Sequence, residues 1–149
     1  MKERYKRGFD FWGLVVFFII MIPNFIWGAV PVPNDILRAE SVTGAIDTVA
    51  SVCQVLMVMC LCIFVNNKQE KFRVSPLIIA AGISCILYFT GWIFYYTGVT
   101  NAAVILALCI MPCLTFLFFA IDRKNMIAIV PLSIFAICHL IYGIVNFIL

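Results

Sequence analysis

The seventeen charged residues of this chain fall in four clusters, at 2–10, 35–47, 68–73 and 122–124, and leave uncharged stretches of 24, 20, 48 and 25 residues. A helix needs about 20 largely apolar residues to cross about 30 Å of hydrocarbon, so each stretch is long enough to cross and the stretch of 48 to cross twice. Apolar residues make up 65% of the chain and charged residues 11%. An ordinary soluble domain has roughly half and a quarter. The pattern predicts an all-α integral membrane protein, five transmembrane helices in one bundle, with residues 1–149 forming a single membrane domain.

The stretch from Phe11 to Asn34 follows the basic segment Lys2 to Arg7, as a secretory signal would. Its apolar part exceeds the roughly 7–15 residues of a signal's core, which makes it a retained first span. As one helix, Val74 to Ile121 would extend about 72 Å at 1.5 Å per residue, so it must fold back. Thr97-Gly98-Val99-Thr100-Asn101 is its one polar, helix-poor segment and divides it. Pro76 suits a helix's first turn, where its missing N–H costs nothing. Helices are expected over about 11–30, 43–65, 74–96, 102–121 and 126–148.

Five spans put Lys2, Arg4, Lys6, Arg7, Lys68, Lys71, Arg73, Arg123 and Lys124 on one side and Arg38 on the other. The positive-inside rule then predicts a multi-pass protein of the cell membrane with a cytoplasmic N-terminus and the C-terminus outside. Four spans would move one basic loop to the wrong side. The net charge of +3 calls for no nucleic-acid partner, because the basic loops face anionic lipid and the bilayer is the partner.

All seven cysteines lie inside spans, and no C-x-x-C pair faces water, so small apolar packing is the expected role rather than redox chemistry. His139 is the single histidine and has no Cys or His at ligand spacing, so neither metal nor cofactor is expected. Pro23, Pro112 and Pro131 fall inside spans, where each removes one backbone hydrogen bond and tends to kink the helix.

Polar side chains at membrane depth usually face the bundle interior or a cavity. In helix 2, Thr43, Asp47, Ser51 and Gln54 share one face; in helix 3, Ser84, Tyr88, Trp92 and Tyr95; in helix 5, His139, Tyr142 and Asn146. Asn24 is two thirds of the way along helix 1. These stripes predict an outward-facing pocket lined by helices 1, 2, 3 and 5. Its ligand-binding candidates are Asn24, Asp47, Ser51, Gln54, Tyr88, Trp92, His139, Tyr142 and Asn146, with Asp47 as the one charge. Competing readings make Gln54, Ser51, Ser84 and Asn24 interhelical glue, and Asp47 a helix cap. They assign Tyr95, Tyr96, Trp92 and Trp27 to the interfacial aromatic belt, Tyr95 and Tyr96 above all. In the first outside loop, Pro31-Val32-Pro33 is stiff, and Asn34 is placed to cap a short interfacial helix over 34–41, with a plain linker as the alternative.

Length, helix number and aromatic content resemble the tryptophan-rich sensory or translocator family in architecture alone. Pro31-Val32-Pro33-Asn34 does not carry that family's Trp- and Pro-rich first-loop signature, so no membership follows. With no nucleophile motif, histidine cluster or close carboxylate pair in the spans, an enzyme is not expected. Two functions remain: binding or transport of a small molecule in the pocket, or an immunity-type interaction protein that packs against a larger membrane partner. A homo-oligomer is compatible with either, since a dimer would bring ten helices together.

Overall fold

The computed structural model describes residues 4–68 and 71–149. Lys2, counted above on the basic side, lies outside the described residues. The chain opens with a short strand β1 (Tyr5–Arg7) and helix α1 (Phe11–Ala29), followed by a single 3₁₀ turn, Ile36–Arg38. Next come α2 (Gly44–Ile63), a second strand β2 (Phe64–Asn66), α3 (Pro76–Tyr96), α4 (Ala102–Asp122) and α5 (Met126–Phe147). All five α-helices are long and apolar enough to cross a membrane, the make-up of a multi-pass membrane protein.

Local chemistry sets the helix ends. Asp10, Ser75, Asn101 and Asn125 accept from backbone N–H groups of Trp12, Ile78, Val104 and Ala128, capping α1, α3, α4 and α5. After α3, Gly98 takes φ +90°, and the N–H groups of Gly98 and Val99 return to the carbonyls of Tyr95 and Phe94. That Schellman closure needs a left-handed residue, which glycine supplies without strain. The α4–α5 turn is the same motif with Lys124 at φ 54°: Lys124 and Asn125 donate to Ile121 and Ala120, and Asn125 then caps α5. Two residues thus end one helix and start the next, which makes α4 and α5 antiparallel neighbours.

In the bundle α4 packs against both α3 and α5, α2 packs against α5, and α1 makes smaller contacts with α2, α3 and α4. The helices therefore form a ring that α1 closes. Gly143 lets α5 sit directly on Cys109 of α4, where any Cβ would overlap the sulfur. On the half of the bundle toward β2, the interior is filled by Met57, Leu61, Phe119 and Leu132, each 2% exposed or less.

The end that carries the basic clusters is tied shut. β1 pairs antiparallel with β2, Tyr5 opposite Asn66 and Arg7 opposite Phe64. Arg123 Nε donates to Asp10 Oδ2 at 2.8 Å, and both residues are buried. Asn125 Nδ2 donates to the carbonyls of Cys60 and Phe64, and Asn66 Nδ2 to that of Lys124. These bonds tie the end of α2 and strand β2 to the α4–α5 turn.

Of the short helix expected over 34–41, only the 3₁₀ turn Ile36–Arg38 is present. Asn34 has φ 55° and caps nothing, and after the 3₁₀ turn Ala39 is extended. The segment is not a plain linker either, because Asp35 anchors it: Asp35 accepts from Trp27 Nε1 at 2.8 Å, Arg38 Nε at 2.9 Å and Tyr95 Oη at 2.5 Å. Tyr95 is fully buried, so it does not belong to an interfacial belt.

Candidate functional site

At the end opposite the strands, the ring of helices encloses a cavity of about 450 Å³. Specific small-molecule sites range over roughly 300–1,000 Å³. Eight of the nine residues singled out by the stripes line it: Asn24, Asp47, Ser51, Gln54, Tyr88, Trp92, His139 and Tyr142. Asn146 does not. Its Oδ1 accepts from the N–H of Val42 and its Nδ2 donates to Thr43 Oγ1, so it ties the end of α5 to the start of α2 instead.

The wall also contains a helix that polarity could not flag. Leu108, Cys109, Pro112 and Phe116 of α4 form an apolar side of the cavity. The expectation that α4 stands apart fails because it counted only polar residues. Leu37 and Ser41, from the loop before α2, lie over the same space with Trp27. The exposed Ser41 and Ser51 and the half-exposed Asp47 place the opening beside α2.

The polar residues divide into two groups. Some are satisfied within the protein. Asn24 Nδ2 donates to Tyr88 Oη at 2.8 Å, joining α1 to α3 as interhelical glue. Ser51 and Ser84 donate to carbonyls one turn back in their own helices, those of Asp47 and Ala80, and so bridge no helices. The Asp47 carboxylate accepts from Thr43 Oγ1 at 2.8 Å and from Ser41 Oγ. The one charge among the expected ligand-binding residues is thus in part a helix-start residue, as the competing reading had it, favoured there by the dipole of α2.

The second group has no such partner. Among the described residues, no hydrogen bond engages the Gln54 amide, the His139 imidazole or the Tyr142 hydroxyl, although all three line the cavity. Trp92 Nε1 is buried beside them and is directed at the Tyr88 hydroxyl. His139 is stacked on Phe135 at 5.1 Å and on Tyr142 at 6.0 Å. Gln54, His139 and Tyr142 are half-exposed, so their polar atoms stay open to the cavity rather than sealed in the interior. With Trp92 they bring donors and acceptors from three helices to one aromatic-walled cavity.

No cluster of three or more metal-ligating side chains occurs among the described residues. Neither a protein-family model, nor a curated protein, nor a solved structure matches this chain. The reading of the site therefore rests on its geometry.

Proposed function

We propose that the protein is a small multi-pass protein of the cell membrane that binds a small amphipathic molecule from the outer side, as a carrier or receptor would. The observation that carries this reading is the convergence of Gln54, His139 and Tyr142, with no hydrogen bond among the described residues, on one aromatic-walled cavity. Polar groups used only to hold helices together would be bonded to one another, as Asn24 and Tyr88 are. In this reading the strand-bearing end is cytoplasmic, supported by the nine-to-one distribution of Lys and Arg. The cavity then opens to the outside, and the core below it, with the Asp10–Arg123 pair, closes the cytoplasmic half.

Asp47 at the opening and the rings of Trp27, Trp92 and Tyr142 favour a ligand with an amine or quaternary ammonium head and an apolar body. A carboxylate supplies the counter-charge, and aromatic faces attract cations by about 0.5–2 kcal/mol each.

Orientation is checked by labelling single cysteines in a cysteine-free background. A cysteine at Thr100 reacts with an impermeant reagent on intact cells, whereas one at Lys71 reacts only after permeabilisation. Labelling of both from outside would refute the five-span arrangement.

Binding is checked with a panel of aromatic monoamines and quaternary ammonium ions against the purified protein. At least one member is expected to raise the thermal midpoint saturably, and Asp47→Asn, nearly isosteric, should weaken that ligand at least tenfold while Gln54→Leu weakens it through its polar end. If no member binds and the substituted chain keeps its full cellular activity, the immunity-type protein packing against a larger partner becomes the better reading.

A further inference from the structure

The geometry points to a second site, independent of the first cavity: a groove between α2 and α5 at the strand-bearing end that holds one anionic phospholipid, its phosphate between Arg4 and Lys68 and an acyl chain along the helices. The groove encloses about 980 Å³. Its long walls are apolar, with Leu56 on α2 facing Val130 and Ile134 on α5, all exposed to whatever surrounds the bundle. From Met126 to Ile134 the wall runs about 12 Å along the helix axis, a depth that an extended acyl chain fills from the interface inward.

The charge lies at one end only. The N–H of Asn67 donates to the Arg4 carbonyl at 2.9 Å, which brings Arg4 beside the turn that carries Lys68. That turn is itself fixed, since the Lys68 N–H donates to Asn66 Oδ1 at 2.8 Å and its carbonyl accepts from Lys124 Nζ at 3.2 Å. Neither the Arg4 guanidinium nor the Lys68 ammonium has a side-chain partner among the described residues, and both line the groove. Two unengaged cations at the mouth of an apolar slot, on the end of the protein assigned to the cytoplasm, are complementary to a single lipid with a negative headgroup. Basic pockets between helices on the cytoplasmic side are suited to such lipids. A zwitterionic lipid would fill the slot but leave the cations without net compensation.

The test is the full chain purified in detergent, titrated with dioleoylphosphatidylglycerol, dioleoylphosphatidylcholine or glycerol 3-phosphate, with bound molecules counted by native mass spectrometry. The phosphatidylglycerol is expected to bind one per chain, at least tenfold more tightly than the phosphatidylcholine. Arg4→Gln with Lys68→Gln should cost about thirty-fold, since each cation near a surface contributes roughly fivefold. Neither side chain bonds to another among the described residues, so the double variant keeps its fold, as an unchanged thermal midpoint without lipid would verify. Val130→Trp, which fills the slot and leaves the charges in place, should reduce lipid binding and spare any binding of glycerol 3-phosphate. Equal affinity for the two lipids, an unaffected double variant, or glycerol 3-phosphate binding as tightly as the phosphatidylglycerol would each overturn the assignment.

Discussion

Arg123→Gln is expected to lower stability by about 3–5 kcal/mol, the cost of leaving one member of a buried ion pair uncompensated. At roughly 2–4 °C per kcal/mol for a chain of this size, the apparent thermal midpoint should fall by on the order of 10 °C. Asp10 is 5% exposed and Arg123 7%, so water cannot replace the missing partner. Asp10 also caps α1 through Trp12 N and donates its own N–H to the Cys62 carbonyl at 2.8 Å, so three segments loosen together. Adding Asp10→Asn should restore much of the loss, because a neutral amide pair carries no stranded charge and Asn still caps a helix. A double variant as unstable as the sum of the two singles would mean that the pair is not coupled, and that each residue acts through its other contacts.

That pair also marks where the sequence was silent. Charge clusters between apolar stretches specify five helices because the length needed to cross a bilayer is fixed and the penalty for charge in hydrocarbon is large. Which loop residues meet across the bundle depends on packing, and neither Asp10 nor Arg123 carries any local signal of its partner 113 residues away. The same holds for β1 and β2. Tyr5–Arg7 and Phe64–Asn66 are too short and too charged or mixed to show a strand period, and they pair because α1 and α2 deliver them side by side.

The candidate site was more legible, for a physical reason. Polar side chains among apolar ones are costly at depth, so their helical spacing reports the inward face, and eight of the nine residues chosen that way line one cavity. The criterion failed wherever polarity and position part company. Asn146 is polar yet spent on the end of α2, and the wall from α4 is apolar and left no trace in the pattern. Asp35 fell within the segment read as a short interfacial helix or a linker, with nothing to mark it as an anchor. Only the fold shows that Tyr95, twenty residues into α3, reaches up to it.

Asp35→Ala should therefore have the largest effect on the half of the bundle that holds the cavity. Its carboxylate gathers Trp27, Arg38 and Tyr95, Arg38 in turn lies 4.6 Å over the Trp27 ring and donates to the Trp27 carbonyl at 2.6 Å, and Leu37 N–H donates to Tyr95 Oη. Hydrogen bonds to a charged group contribute about 1.5–3 kcal/mol each, and the fully buried Tyr95 hydroxyl would lose its acceptor, so a loss of about 3 kcal/mol is expected. The loop carrying Leu37 and Ser41 over the cavity should open, seen as faster proteolysis at residues 31–43 and as altered emission from Trp27 and Trp92, whose rings lie 6.3 Å apart. Acid offers a second check. Burial alone would raise the Asp35 carboxyl, but the hydrogen bonds from Tyr95, Trp27 and Arg38, with the Arg38 charge, outweigh it and hold the group below its ordinary 3.8. A carboxyl depressed in the folded state contributes stability that is fully present above that ordinary value and is lost as pH falls through the lower, folded one. The loop should thus stay closed through neutral and mildly acid solution and release only below about pH 4, with Asp35→Asn removing that acid transition. Release of the loop at pH 5–6, or an unchanged acid profile in the Asn variant, would assign its closure to other groups.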